Sequence, residues 1–449
     1  MKKTLMLIIG FLGVLSLSAQ QKKTYSFSLN EAVQFALDSS YTAQNANKEV
    51  AKALKQKWET TAVGLPQING EATYNNFLEF PVSLLPANAF NPAAPEGQLT
   101  AVAFGVPRQA QVTATLTQLI FDGSYLVGLK AASVFVDYTN TQKERQDLQI
   151  IEGVTNSYGG VLLTKESIKV LQSNIQVLEK NLSDLKQVFE NGFTEEENVE
   201  QLQITLLQLK NQLNNTKRLD AIAQQMLKIS LGIPVSSELV LTDNLEAVTS
   251  SFIGSDLVFK DFDISKNNDF KLSELLVEQR ELEYKLEKVK ALPSLGAFAN
   301  FGVNTAGFEL SDFNTNQRWY SSSVIGAKLN VPIFSSFAYG AKTKRAKLSF
   351  EQAQTSHQQA TDQLKLAHQE AKSNFEFAID NLNTLKENLS LAERIENKNQ
   401  IKFNEGLASS FDLRQAQTQL YAAQQEYLQA QLQVIQNKAK LQSVLNVRN

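Results

Sequence analysis

Two stretches decide the fold of this chain: FENGFTEEENVEQLQITLLQL (189–209) and FNEGLASSFDLRQAQTQLYAA (403–423). Laid over one another at a constant shift of 214, they stay in step without a gap for about 45 residues. Val199 falls on Leu413, Gln201 on Gln415, Leu206 on Leu420, and further on Leu227 falls on Leu441. Upstream, Ile120-Phe121 sits over Ile333-Phe334 at a shift of 213, and Leu65-Pro66 over Leu292-Pro293 at 227. The difference of 14 residues belongs to one loop, longer in the first half. Three blocks in the same order mean one structural unit written twice.

Both halves share a grammar. A helix (28–63, and 269–290) leads into two alternating segments around a loop, then a very long helix, a tight turn and a second long helix. Ile168, Leu171, Ile175, Leu178, Leu182, Leu185 and Phe189 recur in steps of three and four, and so do Val199, Leu202, Leu206, Leu209 and Leu213 beyond the turn. The second half answers with Leu382, Leu385, Leu389 and Ala392, then Leu413, Ala416, Leu420, Ala423, Tyr427, Ala430 and Val434. A sustained 3.5-residue period predicts knobs-into-holes packing, so each half forms a coiled-coil hairpin. The ascending helix from Leu126 to Phe189 contains no Pro, and at 1.5 Å per residue it reaches roughly 95 Å.

The alternating segments read as strands with one apolar and one polar face. Ile68, Gly70, Ala72 and Tyr74 share a parity opposed to Gln67, Asn69, Glu71 and Thr73. Ala110, Val112, Ala114 and Leu116 alternate with glutamines and threonines. Leu295, Ala297, Ala299, Phe301 and Val303 form a third face, and Ile325, Ala327, Leu329 and Val331 a fourth. Their apolar faces are thin in large aliphatics, and each run is about ten residues, the length of a tilted transmembrane strand. Four strands cannot close a barrel, whose smallest bacterial form has eight, and open edges are not tolerated in lipid. Membrane-spanning strands here require several copies of the chain to share one barrel.

Composition agrees. The 449 residues include no Cys, 9 Pro and 2 His, with a formal net charge of -3. Disulfides, thiolate metal sites and cysteine nucleophiles are excluded, and an acidic chain is a poor nucleic-acid binder. Met1-Lys2-Lys3, the apolar run Leu5 to Leu17, and Ser18-Ala19-Gln20 have the pattern of a secretory signal. The expected organisation is a signal peptide at 1–19, a first repeat at 20–232, a linking region at 233–268 and a second repeat at 269–449.

At this point the chain resembles the TolC-type outer membrane efflux proteins. Residues 28–37 (SLNEAVQFAL) look like the family's opening helix, and Gly64-Leu65-Pro66-Gln67 like its helix-to-strand junction. Leu119-Ile120-Phe121-Asp122-Gly123 and Val331-Pro332-Ile333-Phe334 look like its strand-to-helix junctions, Asn191-Gly192-Phe193 and Glu405-Gly406-Leu407 like its hairpin tips. The resemblance implies a mainly α protein with membrane β-strands: a homotrimer whose shared 12-stranded β-barrel in the outer membrane continues into an α-helical periplasmic tunnel. It implies a passive duct that accepts cargo from a periplasmic adaptor and an inner-membrane efflux pump or ABC exporter. The competing reading is a periplasmic coiled-coil adaptor without a pore, which the duplicated strand pairs speak against.

The resemblance also places an aspartate ring just after the second tip. Asp412 matches one of its positions, Gln415 stands where some relatives carry a second acid, and Asn198 is the repeat-equivalent of Asp412. Asp412 equally suits a helix cap, since Asp is favoured there, and both readings stay open. Gly192 and Gly406 are expected to supply positive φ for tight tips. Phe193, Glu195 and Leu407 are candidate adaptor contacts, although acids beside a helix start are favoured by its dipole in any case. Tyr74, Trp319 and Tyr320 are candidate membrane-interface aromatics. His357 and His368 read as surface residues. No catalytic frame, cofactor or metal site is expected.

Overall fold

The computed structural model describes residues 23–79, 82–254, 260–309 and 318–447. The signal segment read at 1–19 lies outside the described residues. In chain order the elements are β1 (Thr24–Phe27), α1 (Leu29–Ser39), α2 (Tyr41–Ala62), β2 (Gln67–Asn76), β3 (Val82–Pro86), β4 (Leu99–Ala103) and β5 (Arg108–Phe121). Then come α3 (Gly123–Glu190), α4 (Glu196–Leu231), β6 (Glu238–Leu241) and α5 (Leu245–Ile253). The second half supplies α6 (Asn268–Val289), β7 (Ser294–Gly307), β8 (Tyr320–Asn330), α7 (Ala338–Asn404) and α8 (Ser410–Val444). The chain divides into a helical unit (1–51, 138–274 and 355–449) and a sheet unit (52–137 and 275–354).

In the sheet unit, an antiparallel sheet runs in the order β2-β5-β7-β8. One hairpin pairs Gln67 with Thr117 through to Asn76 with Arg108, and the other pairs Ser294 with Asn330 through to Asn304 with Tyr320. Ile68, Leu116, Ala299 and Ile325 line up across all four strands, and Ala72, Val112 and Val303 across three. The apolar parities read from the sequence therefore fall on one face. On the other face Asn300 Nδ2 donates to Thr115 Oγ1 at 2.8 Å, and Phe298 lies over Gly326, where a Cβ would approach the ring to 2.7 Å. A second, two-stranded sheet, β3 with β4, fills the long first loop. The sequence reading did not separate it, because its short segments carry no clear alternation.

The helix-to-strand junction explains its glycine. Tyr125 donates its hydroxyl to Thr61 O at 3.1 Å, and a Cβ on Gly64 would stand 2.2 Å from that hydroxyl. Asp122 Oδ1 accepts from Ser124 N at 2.6 Å, capping α3 at the site where the strand ends.

In the helical unit, the helix read at 28–63 is two helices, broken at Ser40. Ser28 caps α1 in a reciprocal box with Glu31. β1 pairs β6 in parallel, Thr24 with Glu238 through to Phe27 with Leu241. Each strand then feeds a side-chain-capped helix, Ser28 capping α1 and Asn244 capping α5. Glu31-Ala32-Val33 recurs as Glu246-Ala247-Val248, so the region read as a link repeats the strand–helix order of residues 24–39. Tyr158, fully buried, places its hydroxyl 3.0 Å from both Phe27 O and Asp243 Oδ2. The same Asp243 oxygen accepts from Leu29 N at 2.7 Å. One carboxylate thus ties β1, α1, α3 and the segment after β6.

Gly232 ends α4 at φ 76°, and a Cβ there would lie 2.4 Å from Ser39 O. Gly232→Ala is expected to destabilise by about 2 kcal/mol or more, since it adds a left-handed penalty to a clash with backbone. Urea unfolding of the purified protein checks this.

The two hairpins have separate seams. Ile175, Leu178, Leu182 and Leu185 of α3 pack on Val199, Leu202 and Leu206 of α4. Ala392 of α7 packs with Leu420 and Ala423 of α8. Between the hairpins, α3 and α8 share the apolar core around Tyr158 and Ile435, and polar side chains are buried as well. Ser167, Asn174 and Asn181 recur at heptad spacing on α3 and are buried, as are Gln417, Gln431 and Lys438 on α8. Asn174 donates to Gln424 Oε1 at 2.7 Å and Asn181 to Gln400 Oε1 at 2.8 Å. Each hairpin thus has an apolar seam of its own towards its tip, and there amides bridge it to the other.

The histidines are not simply on the surface. His368 stacks on Phe262 with ring centroids 4.4 Å apart, and His357 Nδ1 is 2.7 Å from Ser273 Oγ. Both hold the segment that enters α6 against α7.

Candidate functional site: the paired hairpin tips

The tips are built from matching helix ends. Gly192 N donates to Phe189 O at 2.8 Å and Phe193 N to Val188 O at 3.1 Å. Gly406 N donates to Phe403 O at 3.0 Å and Leu407 N to Lys402 O at 2.7 Å. Both are Schellman ends, which need a residue in the left-handed region, and both glycines supply it, at φ 78° and 72°. The apolar residue that follows is left outside: Phe193 is 82% exposed and Leu407 74%.

Asp412 sits in the first turn of α8, but it is not the cap residue. Ser409 is the cap, with its hydroxyl accepting from Asp412 N at 3.2 Å. In return Asp412 Oδ2 accepts from Ser409 Oγ at 2.6 Å and Ser409 N at 3.1 Å. These hydrogen bonds hold the Asp412 carboxyl below the usual carboxylate range. The group is exposed, so its charge stays available to the aqueous side. A carboxyl with a lowered folded pKa contributes its capping stability at neutral pH and loses it as pH falls through that lowered value.

Asn198 does not superpose on this role. Its Oδ1 accepts from Ser410 Oγ, and its Nδ2 donates to Thr194 Oγ1 at 3.2 Å. One turn further, the Arg414 guanidinium donates to Gln201 Oε1 and lies 5.4 Å from the Phe411 ring centre. Two side-chain tethers therefore join the first tip to the second. Neither was read from the sequence, although the Ser-x-x-Asp capping box at 409–412 was legible. Gln415 is exposed, and Glu195 directly precedes α4 without a side-chain cap bond.

Between the tips lies a groove of about 650 Å³ lined by Val188, Phe193, Asn198, Phe403, Ser410 and Phe411 among others. Behind it, Glu396 is pushed up by burial, while the Gln417 amide beside it pulls the other way. Burial also raises the Tyr421 hydroxyl well above its ordinary value. Among the described residues there is no cluster of His, Asp or Glu that could hold a metal ion.

The interface aromatics separate. Tyr74 pairs with Ala110 on the apolar face. Tyr320 pairs with Asn304 on the polar face and carries Arg318 at 5.5 Å from its ring centre. Trp319 directly precedes β8.

Residues 264–447 match the family model of outer membrane efflux proteins. No curated protein matches the sequence. The fold is similar to that of the outer membrane protein VceC of Vibrio cholerae, with a TM-score of 0.72 at 14% identity, covering 93% of this chain and 96% of that one. It is similar to the CmeC outer membrane channel of Campylobacter jejuni, with a TM-score of 0.72 at 16% identity over 96% and 90% of the chains. The open MtrE outer membrane channel of Neisseria gonorrhoeae gives a TM-score of 0.70 at 16% identity over 93% and 88%. The resemblance to TolC-type proteins thus holds by sequence across the second repeat and by fold along nearly the whole chain.

Proposed function

We infer that this chain, an outer membrane efflux protein by the match across its second repeat, is the passive outer-membrane duct of an export system driven from elsewhere. The observation that carries this is the four-stranded sheet, apolar on one face, polar on the other, with the outer edges of β2 and β8 unpaired among the described residues. Lipid does not tolerate such edges, and three copies supply twelve strands and close them.

The helices support the same assembly. Besides its buried seam, α4 carries an exposed apolar series: Ile204, Leu207, Leu219, Ile222, Met226 and Ile229. A helix with two apolar stripes has two neighbours to satisfy. The chain covers the first stripe, and a second copy covers the other. The adaptor meets the exposed Phe193 and Leu407 at the tips, and an inner-membrane pump or ABC exporter supplies motive force and chooses the cargo. A bridging adaptor without a pore has no use for the sheet unit, so that reading is the weaker.

Membrane fractionation and a heat-modifiable oligomer on a gel test the duct, and a soluble monomer overturns it. In planar bilayers, Asp412→Asn keeps an oxygen for Ser409 but removes the charge. Altered cation block in this variant, with tip helicity retained, identifies Asp412 as an aperture charge. A change confined to Asp412→Ala reduces it to a partner in the capping box.

A further inference from the structure

Among the described residues, Glu71 and Lys328 are the only charged ones on the polar face of the four-stranded sheet, and they stand on its two edge strands. Both are exposed, and neither has an ion-pair partner among the described residues. The internal duplication says where each one finds its partner.

The repeat offsets read from the sequence, 227 for the first strand of each hairpin and 213 for the second, carry Gln67 onto Ser294 and Thr117 onto Asn330. Gln67 pairs with Thr117, and Ser294 with Asn330. The second hairpin thus repeats the register of the first residue for residue. The contact between hairpins, β5 on β7, is the remaining type of strand pairing in the sheet. In a barrel closed by copies of this chain, β8 against β2 of the next copy is the duplicate of that contact.

We infer that β8 pairs with β2 of a second copy in the register that β5 holds against β7, which sets Ala327 opposite Tyr74 and places Lys328 diagonal to Glu71. The inference deepens the proposed function and rests on its oligomeric barrel. The known pair Ala114–Phe301 carries over to Ala327–Tyr74, Leu116–Ala299 to Leu329–Ala72, and Thr117–Phe298 to Asn330–Glu71. Every apolar residue then meets the apolar parity of the neighbouring strand. Thr115–Asn300 carries over to Lys328–Thr73, so Lys328 and Glu71 become diagonal neighbours, within reach of long side chains.

A second observation points to the same register. β5 runs on to Phe121, because Gln118, Leu119 and Phe121 still face β7 after the hairpin partner has ended. The equivalent residues from Val331 to Phe334 follow the end of β8 and have no strand beside them among the described residues. Ile333 is 93% exposed and Phe334 77%. In the inferred register Val331 lies beside Gly70 and Phe334 beside Ile68 of the next copy, on the side where that copy's β2 starts.

The natural absence of Cys gives a clean background for the test. Tyr74→Cys with Ala327→Cys is expected to give a covalent ladder up to the closed oligomer on mild oxidation, reversed by reductant. Within one chain these positions are three strands apart, too far for a disulfide. Tyr74→Cys with Ile325→Cys or with Leu329→Cys probes registers two residues off and should crosslink several-fold less. Dominant or equal crosslinking in either of these overturns the register, as does a heat-modifiable oligomer in which no pair crosslinks. A soluble monomeric parent protein instead overturns the duct itself, and is seen before any cysteine is introduced. In parallel, Glu71→Lys and Lys328→Glu should each lower the temperature at which the oligomer dissociates, and the double reversal should restore it. Additive losses in the double variant overturn the ion pair.

Discussion

Truncating Tyr158 to alanine is expected to cost the helical unit about 4 kcal/mol. The side chain is fully buried among Val154, Val161 and Leu162 of its own helix and residues brought from β1, α1 and α5, and removal of a buried aromatic leaves a cavity that neighbours fill only in part. The hydroxyl adds a separate term. It lies between Phe27 O and Asp243 Oδ2, and burial with the nearby Asp243 charge pushes its ionisation far above the ordinary tyrosine value. It therefore acts as a neutral donor at every working pH. Tyr158→Phe keeps the volume and loses only the donor, for about 1–2 kcal/mol. Asp243→Ala strands the buried-side donor Leu29 N, for about 1–3 kcal/mol. If one carboxylate is the tie, Tyr158→Phe and Asp243→Ala are non-additive in a double-mutant cycle. Urea unfolding in detergent gives the magnitudes, and trypsin cleavage near Lys228 reports local opening. Full additivity would separate the two residues and dissolve the tie.

The parts legible in the sequence were those written as periodicity. The 3.5-residue seam from Leu171 to Leu185 and the alternation from Ile68 to Tyr74 both survive in the structure, because each is a repeated local rule that packing then obeys. The extent of the long helices was legible for the same reason, since neither Pro nor Gly-rich turns interrupt them. What escaped was long-range and polar. Asp243 and Leu29 are 214 residues apart, and nothing near either one announces a shared hydrogen bond. β1 and β6 are four residues each, too short for a period to show. Their duplication was recoverable only through the helices that follow, where Glu31-Ala32-Val33 returns as Glu246-Ala247-Val248. At the tips, the glycines were predictable from backbone geometry. The tethers from Asn198 and Arg414 were not, because each depends on how one hairpin lies against the other. Asp412 shows the limit of a residue-type argument: its chemistry suited a cap, but the serine three residues earlier took that position.

The second large effect concerns the outward stripe of α4. Ile222→Glu with Met226→Glu is expected to abolish the oligomer while leaving the chain folded. Both residues are exposed in the single chain, Met226 at 59%, so in isolation the changes meet only water and should shift stability by less than about 0.5 kcal/mol. Assembly reverses that balance. Each carboxylate buried without a partner costs several kcal/mol, and a closed ring repeats the cost at every interface. The opposing face is at hand, since Leu366, Phe377, Leu391 and Ile395 of α7 are also exposed apolar residues. Leu202→Glu is the contrasting variant, because Leu202 is buried in the hairpin's own seam. It should unfold the hairpin and lose helical circular dichroism, whereas the outward pair should lose only the oligomer band and the bilayer conductance. If the Ile222→Glu, Met226→Glu protein still assembles and conducts, the outward stripe of α4 does not face another copy, and the assembly must be held by the sheet edges alone.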